Sequence, residues 1–259
     1  MWSNLFKDVE QMETVKYKKN YLSNVIMQYQ VSQKASSDLL EGDVLKAVLK
    51  EYPLIQPDTE EKQCNLRMDS TTPQASFTNF IRKEFLSNDG NYKLTFNLNF
   101  ITFEVKKYTC FEELVQKVDN ILLTILRDHA ELIILRIGLR YIDIFEEQKN
   151  MKSFFQNGIQ DYIKRFEKPI SDDIKVSKAM SREEYIVEDV RAILQYGYFN
   201  QYFPAELKDK QFVIDTDIIF QGGIQKIEDI KDKIVYMKDI AQIIFENCIT
   251  DKMRGLLNE

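Results

Sequence analysis

Histidine occurs once in 259 residues and cysteine three times, so the side chains that most often carry metal and nucleophilic chemistry are scarce. Cys64, Cys110 and Cys248 lie far apart, form no C-x-x-C pair and have only His129 to add an imidazole. That excludes a disulfide framework and a zinc site from expectation. The eight glycines include no G-x-x-x-x-G-K phosphate loop, and no G-x-S-x-G elbow occurs. A net charge of −6 gives no global basic field to draw the protein to nucleic acid or an anionic membrane. Runs of about 18 apolar residues are missing too, and Lys7, Asp8, Glu10 and Glu13 break up the opening "MWSNLFKDVEQMETVKYKKN". A cytoplasmic protein with no membrane association is the expectation, and no cofactor, metal site or catalytic residue is assigned.

What the chain does have is apolar periodicity. It is 44% hydrophobic, enough to bury a large core. Alternation predicts a first strand over 21–31, and "DLLEGDVLKAVLKE" predicts a helix over 38–51 capped by Ser37 or Asp38. "EYPLIQPDTEE" reads as a break. Strands follow over 63–107, with a hairpin turn at Asn88-Asp89-Gly90-Asn91 and a tight turn or bulge near Asn99, where the apolar parity slips. Helices are expected over 110–128, 151–166 and 225–248, with Pro169 stopping the second of these. Strands are expected over 173–180, 183–195 and 211–220. The pattern predicts an α+β fold, mostly antiparallel sheet with long amphipathic helices packed on one face. Two related halves, 1–145 and 146–259, pack together as one unit in this reading. The seam of the last helix, Ile227, Ile230, Ile234, Met237, Ala241, Ile244 and Cys248, serves a core or a homodimer equally well.

Two strands carry charge. In "ELIILRIGLRYIDIF" alternation puts Arg136, Gly138 and Arg140 on one face, with the guanidinium groups leaving the backbone roughly 13 Å apart. In "FVIDTDIIF" Asp215 and Asp217 share a face. Paired carboxylates at this spacing can hold Mg²⁺ with substrate phosphates, and paired arginines can hold the phosphates. The simpler reading joins the two strands, with the arginines making forked hydrogen bonds to the aspartates, because buried charges require partners. That internal pairing is the favoured reading. Lysines at Lys16, Lys18 and Lys19, at Lys106 and Lys107, and around Lys164, Arg165 and Lys168 read as solvated faces. Tyr92, Phe96 and Phe100 beside Lys93 can stack single-stranded RNA if exposed, although core packing is the commoner use. His129, after Arg127 and Asp128, suits a helix end.

The order of "YLSNVIMQYQV", "ITFEVKKYTCFEEL", "LRIGLRYIDIF", "FVIDTDIIF" and "IIFENCITDKMRGLL" resembles a sporadically distributed family of uncharacterised bacterial proteins of about this length, known by a serial number. The R-x-G-L-R-Y-I strand and the F-E-x-C-I-T-D ending are its most specific marks. This sequence departs from the pattern at Asp143, where many relatives carry Asn. The resemblance implies an α+β protein of accessory genes such as those in anti-phage defence, and it brings no catalytic residues with it. The ending reads physically as a lock of the last helix onto the tail, with Thr250 capping a final turn. The leading expectation is a non-catalytic binding or regulatory protein acting through a protein partner. The alternative is a nucleotide- or RNA-binding protein using Arg136 and Arg140 for phosphate and Asp215 and Asp217 for a metal.

Overall fold

The computed structural model describes residues 15–33, 35–68, 73–146, 151–167, 176–207 and 211–259. Among them the chain is α+β, with ten strands and five helices. The strands are β1 (Leu22–Val31), β2 (Leu54–Ile55), β3 (Thr59–Met68), β4 (Pro73–Leu86), β5 (Tyr92–Asn97), β6 (Phe100–Val105), β7 (Ile134–Glu146), β8 (Ala179–Val187), β9 (Val190–Tyr198) and β10 (Gln211–Ile224). The helices are α1 (Gly42–Glu51), α2 (Phe111–Asp128), α3 (Asn157–Glu167), α4 (Ile227–Cys248) and α5 (Asp251–Leu257). The strands form one large antiparallel sheet in the order β2-β4-β5-β6-β1-β7-β10-β9-β8, with β3 paired to β4 off this path. No described helix is long and apolar enough to cross a membrane.

The chain divides into two compact units. The first joins Ile26–Ile137 with Gln221–Ile230, and the second joins Met1–Val25, Gly138–Phe220 and Lys231–Glu259.

In the first unit strand alternation sends Met27, Tyr29 and Val31 of β1 and Ile101, Phe103 and Val105 of β6 into the core, all at most 1% exposed. Leu94 and Phe96 of β5 join them, and Phe85 meets Phe96 edge to face at 6.2 Å. The α2 stripe Leu114, Val118, Ile121, Leu122 and Ile125 is buried because its spacing of three and four keeps those residues on one face. Each such burial contributes about 2 kcal/mol. The parity slip near Asn99 is a two-residue turn: Asn97 pairs with Phe100, and Leu98 takes a left-handed φ of 49°. Only Lys83–Leu86 of β4 pairs with β5, whereas Pro73–Arg82 pairs with β3 alone, so these segments form a two-stranded arm.

In the second unit β8, β9 and β10 run antiparallel in continuous register. Phe212, Ile214, Thr216, Ile218 and Phe220 of β10 pair with Tyr198, Tyr196, Leu194, Ala192 and Val190 of β9, which gives one buried face. Tyr162 and Phe166 of α3 pack edge-on against Tyr196 and Tyr198, at 5.3 and 6.2 Å between centroids. Gly197 has φ 145°, and a Cβ there would collide with the carbonyl oxygen of Ala179. Of the expected α4 seam, Ile234, Met237, Ala241, Ile244 and Cys248 are buried here, and Ile230, which belongs to the first unit, is buried too.

Several boundaries differ from expectation. Instead of one helix over 38–51, a 3-10 turn at Ser36–Leu39 precedes α1, and neither Ser37 nor Asp38 caps it. The N-cap is Glu41, without a side-chain hydrogen bond. The apparent break after α1 holds β2 and the start of β3, because Leu54 and Ile55 pair with Leu86 and Phe85. The helix expected from 151 begins as a 3-10 turn at Met151–Phe154 before α3. The break between the strands placed at 173–180 and 183–195 moves to Glu188-Asp189, where Val187 pairs with Val190 and Glu188 takes φ 53° without a glycine to mark it. Residues 173–175 and Pro169 lie outside the described residues.

Candidate functional site

Arg140 lies in β7 of the second unit, on the strand face opposite Leu139, Tyr141 and Phe145. Its Nε donates to Asp215 Oδ1 at 2.7 Å and its Nη2 to Asp215 Oδ2 at 2.6 Å, a two-pronged charge-assisted pair. The Asp215 side chain is 8% exposed and that of Arg140 41%, so the carboxylate depends on the guanidinium more than the reverse. Gln195, opposite Asp215 on β9, brings its Nε2 to 3.5 Å from Oδ2. The bond from Asp215 holds Arg140 above its ordinary pKa against the cost of burial, and the charges of Asp215 and Asp217 add to the shift. Asp217 therefore contributes field to the same cluster.

Arg136 belongs to the first unit. Its Nη1 donates to Gln28 Oε1 at 2.8 Å, and Gln28 Nε2 donates to Thr102 Oγ1 at 3.1 Å. This is a hydrogen-bonded row across β7, β1 and β6 on the side away from Met27 and Phe103. Of the four residues singled out in the sequence, the structure brings Arg140 and Asp215 into direct contact.

Tyr92 and Phe96 take the commoner use expected of them, core packing, and the alternative stacking platform with Phe100 does not form. Tyr92 and Phe96 are at most 5% exposed, and the turn at Leu98-Asn99 puts Phe100 on the other face. The Tyr92 hydroxyl donates to Glu113 at 2.6 Å, with Lys117 over its ring at 4.8 Å. Lys93 pairs with Glu104 at 2.8 Å. His129 is the C-cap residue of α2, with its backbone N–H on the carbonyl of Ile125 at 2.9 Å.

A second polar group, which the sequence reading missed, sits on the buried face of the second unit. Glu183 of β8 accepts hydrogen bonds from the hydroxyls of Tyr185 and Tyr196, the latter at 3.0 Å. Asp143 of β7 is 5% exposed. Loss of hydration pushes its pKa up to about 8. Burial also raises the Cys248 thiol, and the charges of Glu183 and Asp143 add to that. Asp143 was legible by parity, since it shares a face with Leu139, Tyr141 and Phe145. Glu183 was hidden by the misplaced strand boundary.

The burial of Cys248 makes a prediction. A maleimide added to the native protein should modify exposed Cys64 rapidly, whereas Cys248 should react only after unfolding, because its thiolate is disfavoured and its sulfur covered. Mass mapping of labelled peptides over time checks this, and equal rates at the two positions would contradict it.

The F-E-x-C-I-T-D ending works as a structural lock. Glu246 accepts Arg254 Nε at 2.8 Å and the Tyr17 hydroxyl at 2.6 Å. Ile249 bridges to Phe155, and the Thr250 hydroxyl donates to the carbonyl of Ser153 at 2.8 Å. Met253 and Leu257 are at most 1% exposed. Thr250 is the N-cap residue of α5, yet its hydroxyl serves the carbonyl of Ser153 and makes no capping bond. Among the described residues no group of three or more His, Cys, Asp or Glu converges as a metal site. Comparisons of the chain with protein-family models, with curated proteins and with solved structures give no match.

Proposed function

We propose that this is a non-catalytic binding or regulatory protein, acting in the cytoplasm through a protein partner, in the anti-phage setting that the family resemblance implies. The observation that carries the reading is the β3–β4 arm. Its paired strands expose Phe77 at 61% and Ile81 at 44%. A two-stranded ribbon is marginal in water by itself, and exposed apolar side chains on such a projection mark an interaction surface. The reading takes α2 and α4 to cover one face of the sheet and the two strand-then-helix runs to be related halves. The apolar stripe of each helix supports this.

The test is affinity purification from the native host, with mass spectrometry of what co-purifies. Phe77→Asp and Ile81→Asp should each weaken capture of a stoichiometric partner by more than tenfold, as a contact of about 1.4 kcal/mol or more requires, with melting unchanged. Capture that survives both substitutions removes the arm from the proposal. The nucleotide or RNA reading has against it that both prongs of Arg140 are engaged by Asp215. It would need a rise in melting temperature with nucleotide and Mg²⁺.

A further inference from the structure

β8 ends the strand order, and among the described residues it pairs with β9 alone. Its sequence, "AMSREEYIV", alternates between two faces. One face holds Ser181, Glu183 and Tyr185. The other presents Met180, Arg182, Glu184 and Ile186 in the order apolar, basic, acidic, apolar. The side chains of Arg182 and Glu184 are 49% and 43% exposed, and Ile186 is 86% exposed, the highest value of any large hydrophobic residue described. Within one chain Arg182 and Glu184 contact each other at 2.7 Å, and Arg191 approaches Glu184 at 3.8 Å.

An edge strand is normally protected from pairing by charge, but the sign pattern of these charges matters. Placed antiparallel against its own copy about an axis through Glu183, the row reads as its own complement. Arg182 then faces Glu184 of the second copy, Glu184 faces the second copy's Arg182, and Ile186 faces the second copy's Met180. A two-fold axis normal to the sheet keeps each face with itself. The neighbouring choices of axis set Arg182 against Arg182 or Glu184 against Glu184, and like charges directly opposed are destabilising. One register is therefore favoured. On the other face it sets Glu183 opposite its own copy, a like-charge contact softened by the Tyr185 and Tyr196 hydroxyls that each carboxylate already accepts. That contact limits the affinity.

We propose that β8 is a homodimerisation edge, pairing antiparallel with the β8 of a second copy through reciprocal Arg182–Glu184 contacts and packing of Ile186 on Met180. The pairing joins the free edges of two sheets by main-chain hydrogen bonds, with the alternate side chains setting register. It is independent of the arm and of any partner bound there, and the purified chain alone suffices to test it.

Sedimentation velocity on the wild type and on Arg182→Glu and Glu184→Arg separates the outcomes. The wild type should dimerise at concentrations up to about 100 μM. Each single variant places like charges opposite each other twice and should be monomeric, its dissociation constant raised at least about tenfold. An equimolar mixture of the two variants should form a heterodimer, since one strand then offers two acids to the other's two bases. No contact within a single chain can produce that restoration. Because the side chains are exposed, melting of both variants should match the wild type at concentrations low enough that the wild type is monomeric, which separates lost pairing from lost folding. A wild type monomeric throughout overturns the proposal. So does a dimer indifferent to both variants, or a mixture that stays monomeric.

Discussion

Replacing Asp143 with asparagine should raise the melting temperature, by far more at pH 8 than at pH 5. The carboxyl is 5% exposed and its pKa is pushed up to about 8 by lost hydration. In the unfolded chain an aspartate titrates near 3.9, so between about pH 4 and pH 8 the folded protein holds a proton that the unfolded one has released. Stability then falls as pH rises, by up to about 1.4 kcal/mol per pH unit across that window. Below about pH 4 both states are protonated and nothing is lost, and above about pH 8 the loss stops growing. At pH 7 the accumulated cost is about 4 kcal/mol. Asparagine has nearly the same shape and does not titrate. The difference between the two proteins should therefore grow from almost nothing near pH 4 to a gain of roughly 10 °C at neutral pH. Melts of both proteins at several pH values decide it. Parallel curves would mean that Asp143 titrates alike in the folded and unfolded states.

Arg140→Ala should destabilise by about 2–3 kcal/mol and Asp215→Ala by about 1 kcal/mol, with the double variant close to the second. The asymmetry follows from exposure. Without Arg140 the Asp215 carboxylate stays buried, 8% exposed, with only the Gln195 amide at 3.5 Å among the described residues, and an uncompensated buried charge is costly. Without Asp215 the guanidinium, 41% exposed, keeps much of its hydration. That exposure also discounts the pair below the 3–5 kcal/mol of a fully buried bridge. Denaturant titration of the three variants measures it. Equal single costs, or an Arg140→Ala protein as stable as the wild type, would show that the fork contributes nothing to stability.

The alternation of "LRIGLRYIDIF" and "FVIDTDIIF" was enough to place Arg140 and Asp215 on strand faces where they can pair, because extended backbone fixes facing by residue count alone. α2 was equally clear, since Glu112 and Glu113 open it and the apolar stripe runs unbroken. Legibility failed where turns lack their usual residues. Glu188 adopts a left-handed conformation that sequence associates with Gly or Asn, so β8 and β9 ran together and the Glu183–Tyr196 contact stayed hidden. At Tyr92 and Phe96 the core packing was legible, but not that α2, many residues on, would supply Glu113 to the Tyr92 hydroxyl. Pairing across long stretches of chain is set by the packed whole, and no local pattern encodes it.

The order β1-β7-β10 at the middle of the strand list has a consequence for how the protein is made. The hairpins β3–β4, β4–β5 and β5–β6 close between neighbours in sequence and can form as soon as they leave the ribosome. β1 is synthesised early but must wait for β7, which arrives more than a hundred residues later, and β7 must wait again for β10. Until β10, Gln211–Ile224, has emerged, β7 of a nascent chain lacks its final neighbour on one side. An unpaired strand edge of this kind favours misassociation. A chain released between the completion of β7 and the arrival of β10 would thus carry an open β7 edge, whereas one released earlier leaves β1 as the open edge.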